Sequence, residues 1–357
     1  MTEPLPQGSV IGILGGGQLG RMLSVAASRL GYRTHVYEPA ANPPAGHVAD
    51  RVTTAPYEDA AALAAFAASV DVITYEFENI PAAALDLIEA SRPIHPNRRA
   101  LAVSQDRILE KDFLTGLGLT TAPYAAVETE ADLMEALDRI GAPAILKTTR
   151  LGYDGKGQAR IMARADAGAA FAVMNGASSV LEGFIDFSRE VSVIAARGLS
   201  GEVAAYDPGE NVHRSGILHT TTVPARLSPS ERTDAVLLAA KILNALDYVG
   251  VMGVELFVTS AGLVVNEIAP RVHNSGHWTQ NGCAVDQFEQ HIRAVTGWPL
   301  GDGSRHANVV MENLIGDDID RIPALSREAN TAIHLYGKAE ARPGRKMGHV
   351  NRIAPKG

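Results

Sequence analysis

The densest run of reactive side chains in this sequence extends from Asn266 to His277. Within twelve residues it holds a carboxylate, a guanidinium, two imidazoles and two amides, directly after an apolar stretch typical of a strand. Side chains of these types donate and accept hydrogen bonds and bind anions and metal ions. The run therefore predicts an anion- or metal-binding site.

A second glutamate, Glu255, lies in another apolar stretch just upstream, and the two stretches together predict a β-hairpin. With Gly262 in the left-handed position of a three-residue loop, Thr259 lies opposite Leu263 and Glu255 opposite Glu267. Facing carboxylates repel by roughly 0.2–1 kcal/mol unless a cation lies between them. A hard divalent ion such as Mg²⁺ suits this pair. The alternative is an edge strand with solvated acids, which the intervening apolar residues disfavour.

The first hundred residues alternate strand and helix, which predicts a parallel sheet built from βαβ units. The segment Gly15–Gly20 fits the G-x-G-x-x-G pattern between a strand and a helix, and Glu38 ends the second strand. One interpretation is a dinucleotide site with Glu38 on a ribose. The other is a cradle for a single phosphate group, formed by backbone N–H groups at the helix amino terminus. A second nucleotide site downstream favours the phosphate cradle.

The glycine-rich segment 152–157 is not a phosphate-binding loop of the Walker type, because Gly157 follows Lys156 and a strand follows the loop. It predicts a mobile flap between two strands that folds over a triphosphate, with Lys156 meeting negative charge. A plain flexible hairpin tip is the alternative. Lys147 lies in the preceding apolar strand, where a phosphate partner would offset the cost of burying an ammonium group. Beyond residue 301 we expect two short strands, near 308–314 and 332–336, and a basic end at 342–346.

Composition narrows the class of protein. The chain has 357 residues, of which 46% are apolar, and we expect two or three domains. The net charge of −8, with no stripe of clustered basic residues, argues against a nucleic-acid partner. The single cysteine, Cys283, excludes an internal disulfide framework. No apolar run approaches the ~18 residues of a membrane helix, and the amino terminus is unlike a signal peptide, so we expect a cytoplasmic protein without a membrane partner.

The two glutamates on adjacent strands, followed by Pro270-Arg271-Val272-His273, resemble the ATP-grasp ligases. More narrowly, segments 152–158 and 269–282 are similar to the family of 5-(carboxyamino)imidazole ribonucleotide synthetases. The resemblance extends from Ile11 to about His349. It implies mixed α/β and α+β architecture: a Rossmann-like parallel βαβ substrate domain (1–104), an ATP-grasp domain (105–300, with a lid at about 121–183) and a small, β-rich carboxyl-terminal domain (301–357).

The resemblance implies a reaction as well. Such an enzyme carboxylates 5-aminoimidazole ribonucleotide in de novo purine biosynthesis, using ATP, Mg²⁺ and bicarbonate, and releases ADP and phosphate by way of carboxyphosphate. It further implies a homodimer whose product is used by a carboxyaminoimidazole ribonucleotide mutase. Three alternatives stay open: another ATP-grasp carboxylate–amine ligase or formyl-phosphate transformylase, an NAD-dependent oxidoreductase built on the first domain, and a non-catalytic nucleotide sensor.

Residue roles also follow from the resemblance. Catalysis is expected of Arg271, His273, Asn274, Tyr153 and Lys156, and metal binding of Glu255 and Glu267. ATP binding is expected of Arg107, Lys111, Lys147, Gly152, Tyr153, Asp154, Gly155, Lys156, Gly157, Gln158, Glu182, Gly183, Phe184, Ile185, Glu190, His213, Asn266 and Glu267. The ribonucleotide is expected at Gln18, Leu19, Glu76, Lys338, Arg345 and Lys346. One departure is Ala269, where many ATP-grasp enzymes have a metal-binding asparagine; Asn266 is the assistant available here.

Overall fold

The computed structural model describes residues 3–150, 152 and 157–356, which form three β-sheets with helices packed against them. The flap residues Tyr153, Asp154, Gly155 and Lys156 lie outside the described residues. Within the described part of the chain, no helix combines the length and the apolar character needed to cross a membrane.

The first sheet is parallel, as the alternating strand and helix pattern predicts, and its strand order is β3-β2-β1-β4. Its strands and the helices that accompany them are β1 (Val10–Leu14), α1 (Gln18–Arg29), β2 (Arg33–Tyr37), β3 (Arg51–Thr53), α2 (Ala60–Ala68), β4 (Val72–Tyr75), α3 (Ala82–Glu89) and α4 (Arg98–Ser104). A 3₁₀ turn, Pro44–His47, packs against α1. Strands β1 and β4 are almost entirely buried, which explains their continuous apolar sequence.

A small antiparallel sheet with the order β5-β8-β6-β7 follows helix α5 (Arg107–Gly116). Its elements are β5 (Tyr124–Val127), α6 (Glu130–Ile140), β6 (Ala144–Thr148), β7 (Gln158–Ile161), a 3₁₀ turn (Arg164–Asp166), α7 (Ala167–Val173) and β8 (Ser179–Gly183). Strands β6 and β7 pair antiparallel on either side of the glycine-rich segment.

The central sheet has nine strands, eight of them in the order β14-β13-β9-β11-β12-β15-β17-β16, with β10 paired to β9. The elements in and around it are β9 (Arg189–Arg197), β10 (Val203–Ala205), β11 (Gly209–Arg214), β12 (Ile217–Val223), α8 (Pro229–Ala245), β13 (Gly250–Thr259), β14 (Gly262–Ala269), a 3₁₀ turn (Asn274–Gly276), α9 (Thr279–Gly282), α10 (Gln287–Thr296), β15 (Ala307–Ile315), a 3₁₀ turn (Gly316–Arg321), α11 (Ile322–Leu325), β16 (Thr331–Leu335) and β17 (Lys346–Pro355).

The carboxyl-terminal strands extend the central sheet, and one of them was not expected. The sequence predicted two short strands and a basic end, but the basic segment leads into the ten-residue strand β17, which lies between β15 and β16. Its polar residues His349 and Asn351 are fully buried, so the strand lacks the alternation of apolar and polar residues on which strand prediction depends.

Helix α10 joins the first sheet to the central sheet through the buried side chain of His291. The Nδ1 atom accepts a hydrogen bond from the N–H of Val251 in β13 at 3.1 Å, and Nε2 lies 2.7 Å from the hydroxyl of Thr74 in β4. Because Nδ1 accepts, Nε2 carries the proton and donates to Thr74. This bridge fixes the edge of the first sheet beside the hairpin that carries the two glutamates.

Candidate active site

The carboxylates of Glu255 and Glu267 face each other across β13 and β14. The predicted pairing is therefore confirmed, although the predicted loop is wrong: Thr259 pairs with Gly262 and Val258 with Leu263. A bulge between Leu256 and Glu255 shifts the register by one residue, and this shift brings Glu255 opposite Glu267. Burial and the charge of Glu267 raise the pKa of Glu255 to about 7. Within the described residues, no group of three or more His, Cys, Asp or Glu is placed to hold a metal ion. We call the pair Glu255 and Glu267 the acidic centre.

His273 lies against this carboxylate pair and is held in one tautomer. Its Nδ1 lies 2.8 Å from the hydroxyl of Ser275, which also accepts a hydrogen bond from Ser192 at 2.7 Å, so the Ser275 proton points to Nδ1. The other nitrogen, Nε2, then carries the proton and lies 3.6 Å from Glu255 Oε1. Burial and the nearby charge of Arg271 lower the pKa of His273 to about 3. It is therefore a neutral hydrogen-bond donor beside the carboxylates.

Arg271 makes a two-point ion pair with Glu78, which follows strand β4. Its Nε and Nη2 atoms donate to the two carboxylate oxygens at 2.6 and 3.2 Å. Burial raises the pKa of Glu78, but the charge and hydrogen bonds of Arg271 outweigh it, and the net effect is a lowered pKa. The sequence predicts an anion from solution as the partner of Arg271 and gives no indication of Glu78.

The amide of Asn274 is buried without a partner. Both Oδ1 and Nδ2 lack hydrogen bonds within the described structure, although Asn274 begins a 3₁₀ turn next to His273. An unsatisfied buried amide costs stability, and in native proteins it usually indicates a binding or catalytic role. This observation supports the expectation that Asn274 orients an anion.

Three stacked histidine rings support the loop that carries these residues. His349 of β17 lies between His277 and His334, with ring centroids 4.6 and 4.5 Å away. The hydroxyl of Tyr336 lies 2.8 Å from Nδ1 of His349, and Nε2 lies 2.9 Å from the side-chain oxygen Oε1 of Gln280, which requires the proton to be on Nε2. We call His277, His349 and His334 the histidine stack. It attaches the loop to the carboxyl-terminal strands.

A cluster of Lys111, Lys147 and Glu182 lies between α5 and the small sheet. Lys147 donates to Glu182 Oε2 at 2.9 Å, and the Lys111 ammonium lies 3.4 Å from the same oxygen. The phosphate partner that the sequence suggested for Lys147 is thus replaced by Glu182 within the protein. However, Glu182 Oε1 and the Lys111 Nζ atom are buried without hydrogen bonds. An acceptor and a donor thus remain for a ligand that carries both functions, as a nucleotide does.

The other expected nucleotide residues surround this cluster. His213 Nδ1 lies 2.5 Å from Glu190 Oε2; burial alone would lower the pKa of His213, but this contact and the charges of Glu255 and Glu267 raise it. Phe184 is half-exposed, and its N–H donates to Pro143 O at 3.1 Å, so this N–H is not available to a ligand. Gly183 donates through its N–H to Pro123 O, which fixes the start of the linker holding Ile185.

Arg107 connects the base of the glycine-rich segment to the carboxylate pair. Its Nη2 donates to Gly152 O at 3.3 Å, and its Nη1 lies 3.5 Å from Glu267 Oε2. Gly157 and Gln158 lie on the opposite side of that segment, next to β6. Asn266 Nδ2 approaches Glu255 Oε2 at 3.5 Å, which agrees with an assisting role at the acidic pair.

The glycine turn before α1 is occupied by carboxylates of the protein itself. Glu76 accepts hydrogen bonds from the N–H groups of Gly17 and Gly20, and Glu38 accepts from Gly16 at 2.7 Å. The phosphate cradle predicted at this turn is therefore reduced to the first helical N–H groups, those of Gln18 and Leu19, which have no partner within the helix. Burial raises the pKa of Glu76.

The dinucleotide interpretation of the same turn is disfavoured by its surroundings. Both oxygens of Glu38 accept backbone N–H groups, from Gly16 and from Ala40, so this acid holds the turn itself. Pro43 also fills the space above Gly16, since a Cβ at that glycine would lie 2.6 Å from the proline ring. A pyrophosphate could not approach the backbone there as the G-x-G-x-x-G pattern requires.

Cationic residues from the carboxyl-terminal segment reach the first domain and the site. A Cβ at Gly337 would lie 3.2 Å from His47 Nδ1, so Lys338 follows a direct contact with the first domain. The positive charge of Lys346, the first residue of β17, contributes to the lowered pKa of His273. Arg345 donates to Glu340 O at 3.0 Å, which holds the turn before β17.

Two further residues near the site were not identified from the sequence. Glu110 of α5 accepts a hydrogen bond from the N–H of Ile268 at 2.6 Å, so it anchors the strand next to Glu267. Burial raises the pKa of Glu110 to about 8. Phe257, two residues beyond Glu255 on β13, stacks on Phe187 with ring centroids 4.6 Å apart. In the sequence, Phe257 is marked only by its place in an apolar stretch typical of a strand.

Three family models match the chain in succession. A ribonucleotide synthetase preATP-grasp domain matches residues 9–105, an ATP-grasp domain matches residues 112–288, and a phosphoribosylaminoimidazole carboxylase C-terminal domain matches residues 309–356. The combined architecture, a parallel βαβ domain before an ATP-grasp domain and a carboxyl-terminal β-rich part, confirms the fold class that the resemblance implied.

Individual relatives cover nearly the whole chain. An N5-carboxyaminoimidazole ribonucleotide synthase of Brucella melitensis is 56% identical over 355 residues, which are 99% of this chain and 98% of the relative. A crystal structure of an ADP complex of N5-carboxyaminoimidazole ribonucleotide synthetase has a TM-score of 0.97 and 41% identity, and covers 100% of this chain and 95% of that one. An Aspergillus clavatus synthase in complex with ADP and 5-aminoimidazole ribonucleotide has a TM-score of 0.92 and 32% identity, with coverage of 98% and 95%.

Proposed function

The chain belongs to the N5-carboxyaminoimidazole ribonucleotide synthase family of ATP-grasp enzymes, and we propose that it performs the family reaction with bicarbonate and Mg²⁺ at the carboxylate pair. The enzyme carboxylates 5-aminoimidazole ribonucleotide in an ATP-dependent step of purine biosynthesis, which yields N5-carboxyaminoimidazole ribonucleotide. Bicarbonate, Mg²⁺, the carboxyphosphate intermediate and the roles of individual residues are the parts we propose.

One observation carries these proposed details: His273, two residues after Arg271, has its Nε2 atom 3.6 Å from Glu255, and Glu255 pairs with Glu267. A guanidinium and a neutral imidazole suit a small planar anion, and two carboxylates suit a divalent ion. Phosphoryl transfer to bicarbonate needs both functions next to each other.

Glu255 and Glu267 would hold Mg²⁺. The fit rests on the charge arrangement, because Glu255 and Glu267 pair across β13 and β14 and the charge of Glu267 contributes to the raised pKa of Glu255. Two carboxylates are enough for this ion, which takes its other oxygens from phosphates and water. When bound, Mg²⁺ supplies charge neutralisation for the transferring phosphoryl group.

Arg271 would receive bicarbonate on the side not used by Glu78. A guanidinium has five N–H groups; in Arg271 two donate to Glu78 and one to Val272 O. One N–H on each terminal nitrogen is left, which matches two oxygens of a planar anion. Neutral His273 and the unpaired amide of Asn274 would complete the hydrogen bonds to it.

The proposed reaction has two steps. A bicarbonate oxygen attacks the γ-phosphorus of ATP, the bond to the β–γ bridging oxygen breaks, and ADP leaves; the product is carboxyphosphate. The amine nitrogen of the ribonucleotide then bonds to the carboxyl carbon, directly or after release of CO₂, while the C–O bond to phosphate breaks and the amine loses a proton. Catalysis is mainly positioning and electrostatic stabilisation, to which Arg271 and Lys147 contribute charge.

The ribonucleotide would bind between the first domain and the carboxyl-terminal segment. Glu76, Gln18 and Leu19 lie at the amino end of α1, and Lys346 lies near His273. We propose that Lys338, Arg345 and Lys346 meet the phosphate of the ribonucleotide. The amine would then face the carboxyphosphate at Arg271. We propose domain boundaries near residues 104 and 300, as the resemblance implies.

Three expectations about cellular context remain proposals. We propose a homodimer, a cytoplasmic location, and use of the product by a carboxyaminoimidazole ribonucleotide mutase. These rest on the family relationship.

The decisive experiment measures ADP release by the purified enzyme with each substrate omitted in turn. We expect release to require MgATP, 5-aminoimidazole ribonucleotide and bicarbonate together, with one phosphate formed for each ADP. Equal release in bicarbonate-depleted buffer would contradict the proposed co-substrate. Oxidation of added NADH under the same conditions would instead support an oxidoreductase.

A further inference from the structure

The pair formed by Glu78 and Arg271 joins the substrate domain to the loop that would bind bicarbonate. Glu78 lies just after β4, at the end of the parallel sheet, whereas Arg271 lies just after β14. Their two hydrogen bonds, at 2.6 and 3.2 Å, use the edge of the guanidinium formed by Nε and Nη2. An arginine held on this edge has a fixed plane, so its remaining N–H groups point in a fixed direction.

The backbone of Glu78 is itself fixed by Gln105. The Gln105 Nε2 group donates to Glu78 O at 2.6 Å and to Ile80 O at 3.0 Å. The amide oxygen of Gln105 accepts from Arg150 Nη2 at 3.0 Å, next to the glycine-rich segment. Glu78 is therefore not a mobile surface acid that meets an arginine by chance, because its main chain and its carboxylate are both constrained.

We propose that Glu78 is a positioning residue, which orients Arg271 so that its two remaining N–H groups face bicarbonate. This inference rests on the proposed function, since it assigns the task of Arg271 to bicarbonate binding. Glu78 acts through Arg271 and makes no contact with bicarbonate. Removing its charge leaves the guanidinium free to rotate and to be solvated differently, which weakens the binding of the anion and the stabilisation of phosphoryl transfer.

Substitution of Glu78 by glutamine tests the proposal, because the side chain keeps its volume but loses the charge and one acceptor. We expect kcat/KM for bicarbonate to fall by roughly tenfold to a hundredfold, as for loss of a charged hydrogen bond. The Michaelis constant for ATP should change less than about twofold. The Glu78→Asp variant, which keeps the charge at a shorter reach, should recover part of the loss.

A double-substitution cycle separates positioning from direct substrate contact. If Glu78 acts only through Arg271, then Glu78→Gln combined with Arg271→Lys should lose little more activity than Arg271→Lys alone. Fully additive losses would show that Glu78 has a separate task and would overturn the proposal. An increase confined to the Michaelis constant of 5-aminoimidazole ribonucleotide would overturn it too, and would make Glu78 a substrate ligand.

Glu312 provides a matched control. It is a largely buried carboxylate held by Arg321 and Arg352 at 2.7 and 2.6 Å, and these groups lower its pKa as Arg271 lowers that of Glu78. Glu312→Gln should lower thermal stability without changing kcat/KM for bicarbonate. If Glu78→Gln behaves in the same way, its role is only structural and the inference is wrong. If the unmodified enzyme releases ADP without bicarbonate, the proposed function fails and the inference fails with it.

Discussion

Glu255 faces Glu267 only because the β13–β14 hairpin contains a bulge next to this pair. In the regular register set by the turn, Glu255 would lie opposite Asn266. The bulge adds one residue to β14, and a shift of one residue moves a side chain to the other face of a sheet. The acidic centre therefore depends on a local irregularity of the sheet.

Loss of either carboxylate charge should nearly abolish activity. We expect Glu255→Gln and Glu267→Gln to lower turnover by more than about a hundredfold at normal Mg²⁺, because each removes a charged oxygen donor without a change in volume. Steady-state ADP release across a Mg²⁺ titration measures this. Glu202→Gln, in the turn before β10, is the control and should keep normal turnover. Near-normal activity of either site variant at saturating Mg²⁺ would disprove the two-carboxylate site.

Replacement of Asn274 should separate activity from stability. Its amide is buried without partners, so Asn274→Ala removes an unsatisfied group and should leave the free energy of unfolding unchanged or slightly higher. The same change should lower kcat/KM for bicarbonate by roughly a hundredfold, the usual effect of losing one preorganised donor. Asn351→Ala provides a contrast, because Asn351 Nδ2 donates to His277 O and Asn281 Oδ1 and its loss should be destabilising. A large stability loss in Asn274→Ala with unchanged kinetics would contradict the assignment.

Substitutions in the turn before β17 should change the Michaelis constant of one substrate only. We expect Arg345→Ala and Lys346→Ala each to raise the Michaelis constant for 5-aminoimidazole ribonucleotide several-fold, while those for ATP and bicarbonate change little, because a uniformly used binding contact acts on its own substrate. Initial rates with each substrate varied in turn measure the effect. Arg342→Ala, at an exposed position of the same turn, should match the parent enzyme. Equal effects on ATP would argue for a general disturbance of the fold.

The histidine stack should make stability depend on pH in mildly acidic solution. Burial, with the neighbouring His277 and His334, holds the pKa of His349 well below its usual 6.5. The unfolded chain therefore takes up a proton below about pH 6.5 that the folded protein does not. As the pH is lowered, the free energy of unfolding decreases by up to about 1.4 kcal/mol per pH unit for each such histidine. Urea unfolding between about pH 7.5 and 5.5 should show a smaller loss for His349→Gln than for the parent. His306 is exposed, and the His306→Gln variant should show the same dependence of the free energy of unfolding on pH as the parent. An unchanged slope in His349→Gln would mean that this ring is protonated in the folded state.

The parts of the fold with regular apolar spacing were predictable from the sequence. Strand β1 and the parallel order of the first sheet follow from unbroken apolar runs separated by an amphipathic helix. The pairing of Glu255 with Glu267 was also predicted, but through a three-residue loop that does not form. A bulge in the strand has the same effect on register as an extra loop residue, and composition does not distinguish them.

The remainder depends on contacts between distant residues. Strand β17 was missed because its buried positions hold His349 and Asn351, whose hydrogen bonds to Tyr336, Gln280 and His277 replace the apolar contacts that a pattern would reveal. Glu78 was missed because nothing near it in the sequence indicates an arginine 193 residues away. Polar side chains that satisfy each other inside a protein leave no periodic signal.

The support of the 271–277 loop by β17 has a consequence for the order in which the enzyme is made. A ribosome synthesises Glu255, Glu267, Arg271 and His273 well before it reaches His349 and Asn351. Until those later residues emerge, the carbonyl of His277 lacks its hydrogen bond from Asn351, and the ring of His277 has no stacking neighbour from β17. A nascent chain can therefore contain every group of the acidic centre before the last contacts that support this loop are able to form.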